Sequence, residues 1–222
     1  MRRTWATLLV LSGALPAAAQ HEGVTSTPHN LSASGPGEIR ALKEPEVCKF
    51  CHIPHNAVAP EPLWGHALSK VERYEVPTMR RGRTSVPAPQ PDGSSRLCLA
   101  CHDGTVALGD IGQAAPIPMA GSARLERGQR GYLGTDLSGS HPISFVVPDG
   151  DAGEVPGSRD MGLRPLSLIR SEGGIPLDKD GKMQCTTCHD PHSDRYYVPG
   201  RVPRFWVRPS VDSVCLACHE PR

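Results

Sequence analysis

The chain has few of the residues that build an ordinary hydrophobic core. Its 222 residues include only three Phe, three Trp and four Tyr, against 23 Gly and 23 Pro. No long segment repeats apolar residues at the helical period, although a chain of this length could form an ordinary globular domain. We therefore expect the protein part of the core to be thin, so that something besides side-chain packing organises the fold.

The sequence also lacks a strong net charge and, beyond its first residues, any long apolar run. Lys and Arg number 24 against 23 Asp and Glu, a balance that gives nucleic-acid binding no electrostatic support. The apolar run from Trp5 to Leu15 is too short to span a bilayer. It follows Arg2-Arg3 and precedes Ala17-Ala18-Ala19, the pattern of a secretory signal peptide. We expect a signal peptide over residues 1–19, no membrane span, and an exported protein.

No cysteine is left over from one motif, Cys-x-x-Cys-His, which occurs four times. Disulfides require no histidine after every second cysteine, and zinc ribbons, which pair Cys-x-x-Cys motifs, do not require it either. The motif is the attachment site of c-type haem: two thiols reach the porphyrin vinyl groups and the adjacent histidine becomes the proximal iron ligand. We therefore expect four covalent haem c groups. The attachment cysteines are Cys48, Cys51, Cys98, Cys101, Cys185, Cys188, Cys215 and Cys218, and the proximal histidines are His52, His102, His189 and His219.

The order of histidines around these motifs repeats once along the chain. Each half contains a lone histidine, then Cys-x-x-Cys-His-x-Pro-His, then Cys-Leu-Ala-Cys-His. We interpret residues 20–130 and 131–222 as two dihaem halves of one compact tetrahaem unit. The histidines at equivalent places are predicted to be the distal iron ligands: His29, His55, His141 and His192.

Other side chains compete for the distal positions. His66 has no counterpart in the second half, and His21 lies two residues beyond the expected cleavage site, so both are interpreted as surface or packing histidines. Methionine is the alternative haem ligand, but the candidates show no repeat relation to the motifs and methionine often fills gaps in a core. The candidates are Met79, Met119, Met161 and Met183.

The short spacing inside the Pro-His motifs restricts which iron each distal histidine can reach. The Cα atoms of His52 and His55 can separate by at most about 11 Å, which leaves no slack for ligands on opposite faces of one porphyrin. We expect His55 to bind the iron of a different haem, and His192 likewise. Nothing in the sequence requires the haem of His55 to belong to the same copy of the chain.

These features predict a mostly irregular, loop-rich multihaem cytochrome c with a haem-organised core. Short α-helices are expected at the Cys-x-x-Cys-His motifs, near Glu46–His52, Leu97–His102 and Val214–His219. A few short strands are expected around Ile143–Val147 and Pro165–Ile169. Without haem we expect no stable fold, because cofactor binding energy is folding energy in such proteins.

The chain resembles the OmcE-type tetrahaem outer-surface c-type cytochromes over nearly its whole mature length. The haem motifs alone indicate a multihaem cytochrome, and the strings between them make the resemblance more specific. These strings are His29-Asn30-Leu31-Ser32, Gly35-Pro36-Gly37, Cys51-His52-Ile53-Pro54-His55-Asn56, Pro62-Leu63-Trp64, Gly93 to Cys98, His102 to Gly109, Leu133 to Ser138, His141 to Phe145, and Cys188 to His192.

The resemblance implies a function as well as a fold. Cytochromes of this type polymerise into extracellular filaments in which all haems are bis-histidine and stacked in a chain, and the neighbouring subunit supplies one distal histidine. For this chain it implies electron transfer within a conducting filament of identical copies, with redox partner cytochromes or extracellular acceptors and a location at the cell surface.

Two other functions are alternatives to a filament subunit. A soluble periplasmic multihaem electron carrier would have the same motifs and ligands. A multihaem redox enzyme, such as a nitrite or hydroxylamine converter, needs an iron with an open position for its substrate. Candidate ligands outnumber the irons here, and every motif retains its histidine, so we expect no enzymatic activity.

Overall fold

The computed structural model describes residues 23–59, 62–81, 84–112, 114–148, 162–171 and 174–220. The expected signal peptide, His21 and Met161 lie outside these ranges.

Within the described residues the chain is loop-rich, with four short α-helices and two small sheets. The helices are α1 (Gly93–His102), α2 (Leu166–Ser171), α3 (Cys185–Cys188) and α4 (Val211–Cys218), and Val24–Ser26 and Cys48–Phe50 form 3-10 turns. Strand β1 (Arg40–Ala41) pairs antiparallel with β4 (Met119–Ala120), and β2 (Thr78–Arg81) pairs antiparallel with β3 (Thr84–Pro87). The loop-rich fold with short helices and few strands agrees with the expectation from the sequence.

Three of the four Cys-x-x-Cys-His motifs lie on helices whose ends are set by local sequence. Helix α4 begins with a capping box in which Ser210 accepts from the Ser213 backbone N–H, and Ser213 accepts in return. Helix α3 begins with the same exchange between Gln184 and Thr187. Such caps satisfy backbone donors that the first helical turn leaves free. The first motif differs from the expectation, because Cys48–Phe50 is a single 3-10 turn rather than an α-helix.

The strand expected around Pro165–Ile169 is wrong, since most of this segment lies in α2. Pro165 precedes the first helical residue, and its carbonyl accepts from the backbone N–H groups of Leu168 and Ile169. The buried residues Leu166 and Ile169 are three apart, which places them on one helical face. The apparent alternation of the sequence was therefore a helical pattern seen over too few residues.

Ile143–Val147 also forms no strand, although it pairs partly with residues 181–183. Ser144 donates its backbone N–H to the Met183 carbonyl, and Val147 donates to the Gly181 carbonyl. Ser144 has φ 62°, in the left-handed region, which breaks the extended conformation. Only Val146 remains as an isolated bridge, to Lys182.

The hydrophobic core consists of small separate clusters, each close to a haem-attachment motif. Among the described residues, one cluster gathers Val147, Leu166, Ile169 and Met183 around Cys218 of the fourth Cys-x-x-Cys-His motif, and a second packs Phe50 with Ala41 and Ile111 beside Cys51 of the first. The other two contain Leu99, in the second motif, and Val214 with Ala217, beside Cys188. The described part of the chain therefore has the thin core that its composition predicts.

Candidate haem-binding site

The attachment motifs share one local geometry. The backbone N–H of His52 donates to the Cys48 carbonyl at 2.8 Å, that of His189 to Cys185 at 3.0 Å and that of His219 to Cys215 at 2.9 Å. The first cysteine and the histidine are thus joined by an i to i+4 bond, which places both on one side of the turn. All eight cysteines are free thiols. The arrangement leaves two thiols and an imidazole available to one ligand at each motif.

Three of the four motif histidines lie opposite an imidazole from elsewhere in the chain. The ring centres of His102 and His29 are 6.0 Å apart, and those of His219 and His141 are 6.2 Å apart. The ring of His52 lies 6.0 Å from that of His192. His192 therefore lies opposite the first motif rather than its own, in keeping with the reach restriction read from the sequence.

These separations fit two imidazoles bound to one iron. Two nitrogens each about 2.0 Å from a metal ion, with about 1.1 Å from nitrogen to ring centre, place the ring centres about 6 Å apart. The planes cross at 68° for His29 and His102 and at 70° for His141 and His219, and lie within 23° for His52 and His192. Three of the expected haem positions thus have two imidazole rings at a suitable spacing.

Hydrogen bonds to the backbone fix the tautomer of several of these rings. Nδ1 of His102 donates to the Gly131 carbonyl at 2.6 Å, that of His52 to Pro62 at 2.7 Å and that of His141 to Pro142 at 2.8 Å. A carbonyl can only accept, so the proton is on Nδ1 and the lone pair is on Nε2. Metal-binding histidines commonly donate their second ring nitrogen in this way.

Gly131 is required for the close approach to His102. A Cβ at this position would lie 3.1 Å from Cε1 and 3.2 Å from Nδ1 of the ring, and the residue has φ +87°. Glycine adopts this conformation without steric cost. This role could not be predicted from the sequence, because nothing in it relates Gly131 to His102, which lies 29 residues earlier.

Burial keeps His29 neutral. Loss of solvent, together with the nearby His102, lowers the pKa of its imidazole to about 4. The ring nitrogen Nδ1 points toward the Pro191 carbonyl at 3.4 Å, a long and weak contact. A neutral imidazole is the form that binds metal, so His29 is ready for coordination at neutral pH.

The fourth motif histidine, His189, has a different surrounding. Its ring packs edge to face on Trp206 at 5.0 Å, and it donates to the backbone carbonyl of Arg204. None of the ring contacts within the described residues brings a second imidazole to it. His189 is exposed, and a surface cavity lined by Asp190, Ser193, Arg195, Trp206 and Val207 lies beside it.

His55, the remaining predicted distal ligand, is also exposed and lies opposite no motif histidine. The described part of the chain makes no hydrogen bond, ion pair or ring contact with its side chain. Among the described residues, His189 is thus a motif histidine with no imidazole opposite it, and His55 is a predicted distal ligand that lies opposite no motif histidine.

The competing side chains are packed elsewhere. His66 is fully buried, with Nδ1 donating to the Ala67 carbonyl at 2.8 Å and Nε2 lying 3.5 Å from Sγ of Cys101. Its ring faces a cysteine rather than a motif imidazole. Met183 is a buried member of a core cluster, and Met119 packs against another.

A buried polar network holds the second and third motifs side by side. Gln184, 1% exposed, accepts from Ser95 Oγ at 2.5 Å and donates to the carboxylates of Asp92 and Asp178. Ser95 Oγ in turn accepts from the backbone N–H of Cys185 at 3.0 Å. The side chains of Cys98 and Cys185, which begin the two motifs, lie next to each other beside this network.

Comparison with known proteins adds no assignment. No protein-family model matches the chain, and no curated protein matches it. Among the described residues no helix is long and apolar enough to cross a membrane. The same residues contain no group of three or more His, Cys, Asp or Glu that could hold a metal ion. A haem iron needs only two side-chain ligands, because the porphyrin supplies the rest.

Proposed function

We propose that the protein is a secreted tetrahaem c-type cytochrome that transfers electrons as a subunit of an extracellular conducting filament of the OmcE type. Haem c, when bound, supplies an iron that gains and loses one electron while it keeps both protein ligands. The eight motif cysteines would attach the four groups, and His52, His102, His189 and His219 would be the proximal ligands.

The imidazole pairs carry the proposal. His102 with His29, His219 with His141, and His52 with His192 have ring centres 6.0 to 6.2 Å apart. The cysteines by themselves give no reason for a distant histidine to lie opposite the histidine of three of the four motifs. Pairs at this spacing support bis-histidine ligation, which leaves no position on the iron for a substrate and favours electron transfer over catalysis.

Residues of the chain would support this function in three ways. Backbone carbonyls of Pro62, Gly131 and Pro142 hold the proton on Nδ1, so that Nε2 can bind iron. Burial keeps His29 neutral. The Gln184 network keeps the second and third attachment sites adjacent, which favours rapid passage of an electron between the groups attached there.

The two unmatched histidines support the filament rather than a discrete carrier. His55 and His189 are both exposed. Among the described residues, no imidazole lies opposite His189 and no motif histidine lies opposite His55, so each could complete the other across two copies. We propose that His55 of one copy binds the iron at His189 of the next, with the cavity beside Trp206 receiving the incoming loop. Val58 and Leu63, 38% and 48% exposed, add apolar surface close in sequence to His55.

The test of electron transfer is a redox cycle combined with a turnover assay. Dithionite should reduce all of the haem, and soluble or solid acceptors should reoxidise it, with low-spin spectra in both states. Steady turnover of nitrite or hydroxylamine at rates typical of enzymes, about 1–10³ s⁻¹, would contradict the proposal.

A further inference from the structure

Phe205 lies flat against one of the proposed iron ligands. Its ring centre is 4.2 Å from that of His29, and the two planes differ by 13°. The Trp contacts with His52 and His189 are edge to face, at 88° and 76°. Among the ring contacts of the described residues, this is the one in which a side chain other than histidine covers the face of a proposed ligand.

His29 has less support from hydrogen bonds than the other ligands. Its Nδ1 is 3.4 Å from the Pro191 carbonyl, whereas the corresponding bonds of His52, His102 and His141 measure 2.6 to 2.8 Å. A separation of 3.4 Å lies beyond the usual range for an N–H···O bond. Rotation of the His29 ring about its side-chain bonds is therefore opposed chiefly by the flat face of Phe205.

Phe205 is itself held in an unfavourable backbone conformation. Its φ is 61°, in the left-handed region that bulky residues rarely adopt. Its N–H donates to Asp194 Oδ1 at 2.8 Å, and its carbonyl accepts from the Asp190 N–H at 2.8 Å. Strain of this kind persists where surrounding contacts overdetermine it, and it is common at functional sites.

Asp194 is the anchor of this arrangement. The residue is 2% exposed, and its second oxygen forms an ion pair with Arg204, whose guanidinium lies 3.9 Å from the ring centre of Tyr197. A buried carboxylate with a cation and a backbone N–H as partners is strongly restrained. Because the backbone N–H of Phe205 donates to Asp194 Oδ1, the restrained carboxylate also holds Phe205 in place.

We infer that Phe205, anchored by Asp194, is a positioning residue that sets the plane of the His29 imidazole. It holds that plane at 68° to the plane of His102. The inference rests on the proposed function, since it concerns the two ligands of one haem iron. The angle between axial imidazoles determines the orbital splitting of a low-spin ferric iron, so Phe205 would tune the electronic state of this haem alone.

Electron paramagnetic resonance reports this angle. Crossed imidazole planes give a low-spin ferric signal with a large maximal g value, and near-parallel planes give a rhombic signal. The pair angles predict two signals of the first kind, from His29 with His102 and from His141 with His219. They predict one rhombic signal, from His52 with His192.

The test compares Phe205→Leu with Phe205→Tyr and with Phe145→Leu. Leucine at position 205 is apolar like phenylalanine, and the left-handed backbone conformation is strained for either residue, but leucine has no flat face. One large-g signal should therefore shift or broaden. Tyrosine retains the face and should preserve the signal. Phe145 packs in a core cluster and contacts no described imidazole, so Phe145→Leu applies the same chemical change as a control. The pyridine haemochrome assay gives the haem content of each variant.

The outcomes separate this inference from the proposed function. A wild-type protein without low-spin bis-imidazole signals would contradict the function. A wild-type protein with those signals, and a Phe205→Leu variant with full haem content and unchanged signals, would overturn the positioning role. Phe205→Met, which keeps a longer apolar side chain without a flat face, supplies the same comparison if the leucine variant incorporates less haem. Asp194→Asn should shift the same signal and no other.

Discussion

At the scale of single residues, the histidines differ in what their two ring nitrogens contact. His52, His102 and His141 donate Nδ1 to a backbone carbonyl and lie on one side of an imidazole pair. His66 also donates Nδ1 to a carbonyl, but its Nε2 lies against Sγ of Cys101. The hydrogen bond from Nδ1 therefore does not distinguish a proposed ligand from a packed histidine. The proposed ligands differ from His66 in having a second imidazole opposite the ring.

Replacing His141 with Ala should leave one haem without its distal ligand. His219 would then be the only imidazole at that iron, and a five-coordinate ferric haem is high-spin. We expect about a quarter of the haem to become high-spin in the visible and resonance Raman spectra, as four similar haems imply.

The matched control is His66→Ala, which removes a buried histidine of the same type. It should lower stability, because truncation of a fully buried side chain leaves a cavity, but all haems should remain low-spin. A high-spin haem in His66→Ala, with an unchanged spectrum in His141→Ala, would reverse the ligand assignment.

At the scale of elements, the N-termini of α1 and α3 meet around Gln184. The amide contacts Asp92, Ser95 and Asp178, and Ser94 bonds Thr186 across the same joint at 2.8 Å. Gly93, with φ +49°, lies so close that a Cβ there would be 2.9 Å from Nε2 of Gln184. The joint therefore fixes the two attachment helices through polar bonds rather than apolar packing.

Replacing Gln184 with Ala should destabilise the protein through this joint. Each buried polar group left without a partner costs about 1–3 kcal/mol, and Ser95 loses its bond to the amide oxygen. We expect a lower denaturant midpoint, measured by circular dichroism of the haem-loaded protein. Gln129→Ala, in an exposed turn, serves as the control and should have little effect; equal midpoints for the two variants would contradict the role of the joint.

The sequence predicted the loop-rich fold with short helices at the motifs better than it predicted the elements between them. Short motifs such as Cys-x-x-Cys-His can be recognised from adjacent residues alone, and the three α-helices that contain them are short and formed by local hydrogen bonds. The strand expected at Pro165–Ile169 failed because five residues are too few to separate a period of two from one of 3.6. The hairpin of β2 and β3 was missed for a similar reason.

The sequence contains weaker signals of the long-range contacts within the candidate site than of its motifs. The repeat of histidines indicated which side chains to consider, and three of the four predicted distal residues lie opposite a motif histidine. It contained no information about Gly131, Gln184 or Phe205, whose roles depend on approach in space. Phe205 and Trp206 are adjacent in a chain with three residues of each type, and that clustering was the one available hint.

At the scale of the whole molecule, the two halves of the chain share their imidazole contacts. His192 of the second half lies opposite His52 of the first, and His29 of the first half packs on Phe205 of the second. The same distribution leaves His55 and His189 exposed. In the proposed function, the iron at His189 lacks a distal ligand and His55 can supply one. Copies of the chain can then join end to end, provided that His55 of one copy reaches His189 of the next.

Removing His55 should therefore stop assembly. The His55→Ala protein should be monomeric in negative-stain microscopy of the extracellular fraction, and one haem, at His189, should be high-spin. Assembly of the unmodified protein should weaken in acid, because imidazole must be neutral to bind iron.

Added imidazole provides the control for this prediction. It should return the exposed haem of His55→Ala to the low-spin state without restoring filaments, because a free ligand fills the iron but does not join two copies. Normal filaments formed by His55→Ala would rule out the joint, and a low-spin soluble monomer of the unmodified protein would instead favour a periplasmic carrier.

The number of covalently attached haems tests the central claim most directly. Intact mass spectrometry of the mature protein should give the polypeptide from Gln20 plus four haem masses, one for each Cys-x-x-Cys-His motif. A different cleavage site would change the polypeptide mass and leave the haem count intact. Three or fewer haems on fully matured protein would contradict the tetrahaem account.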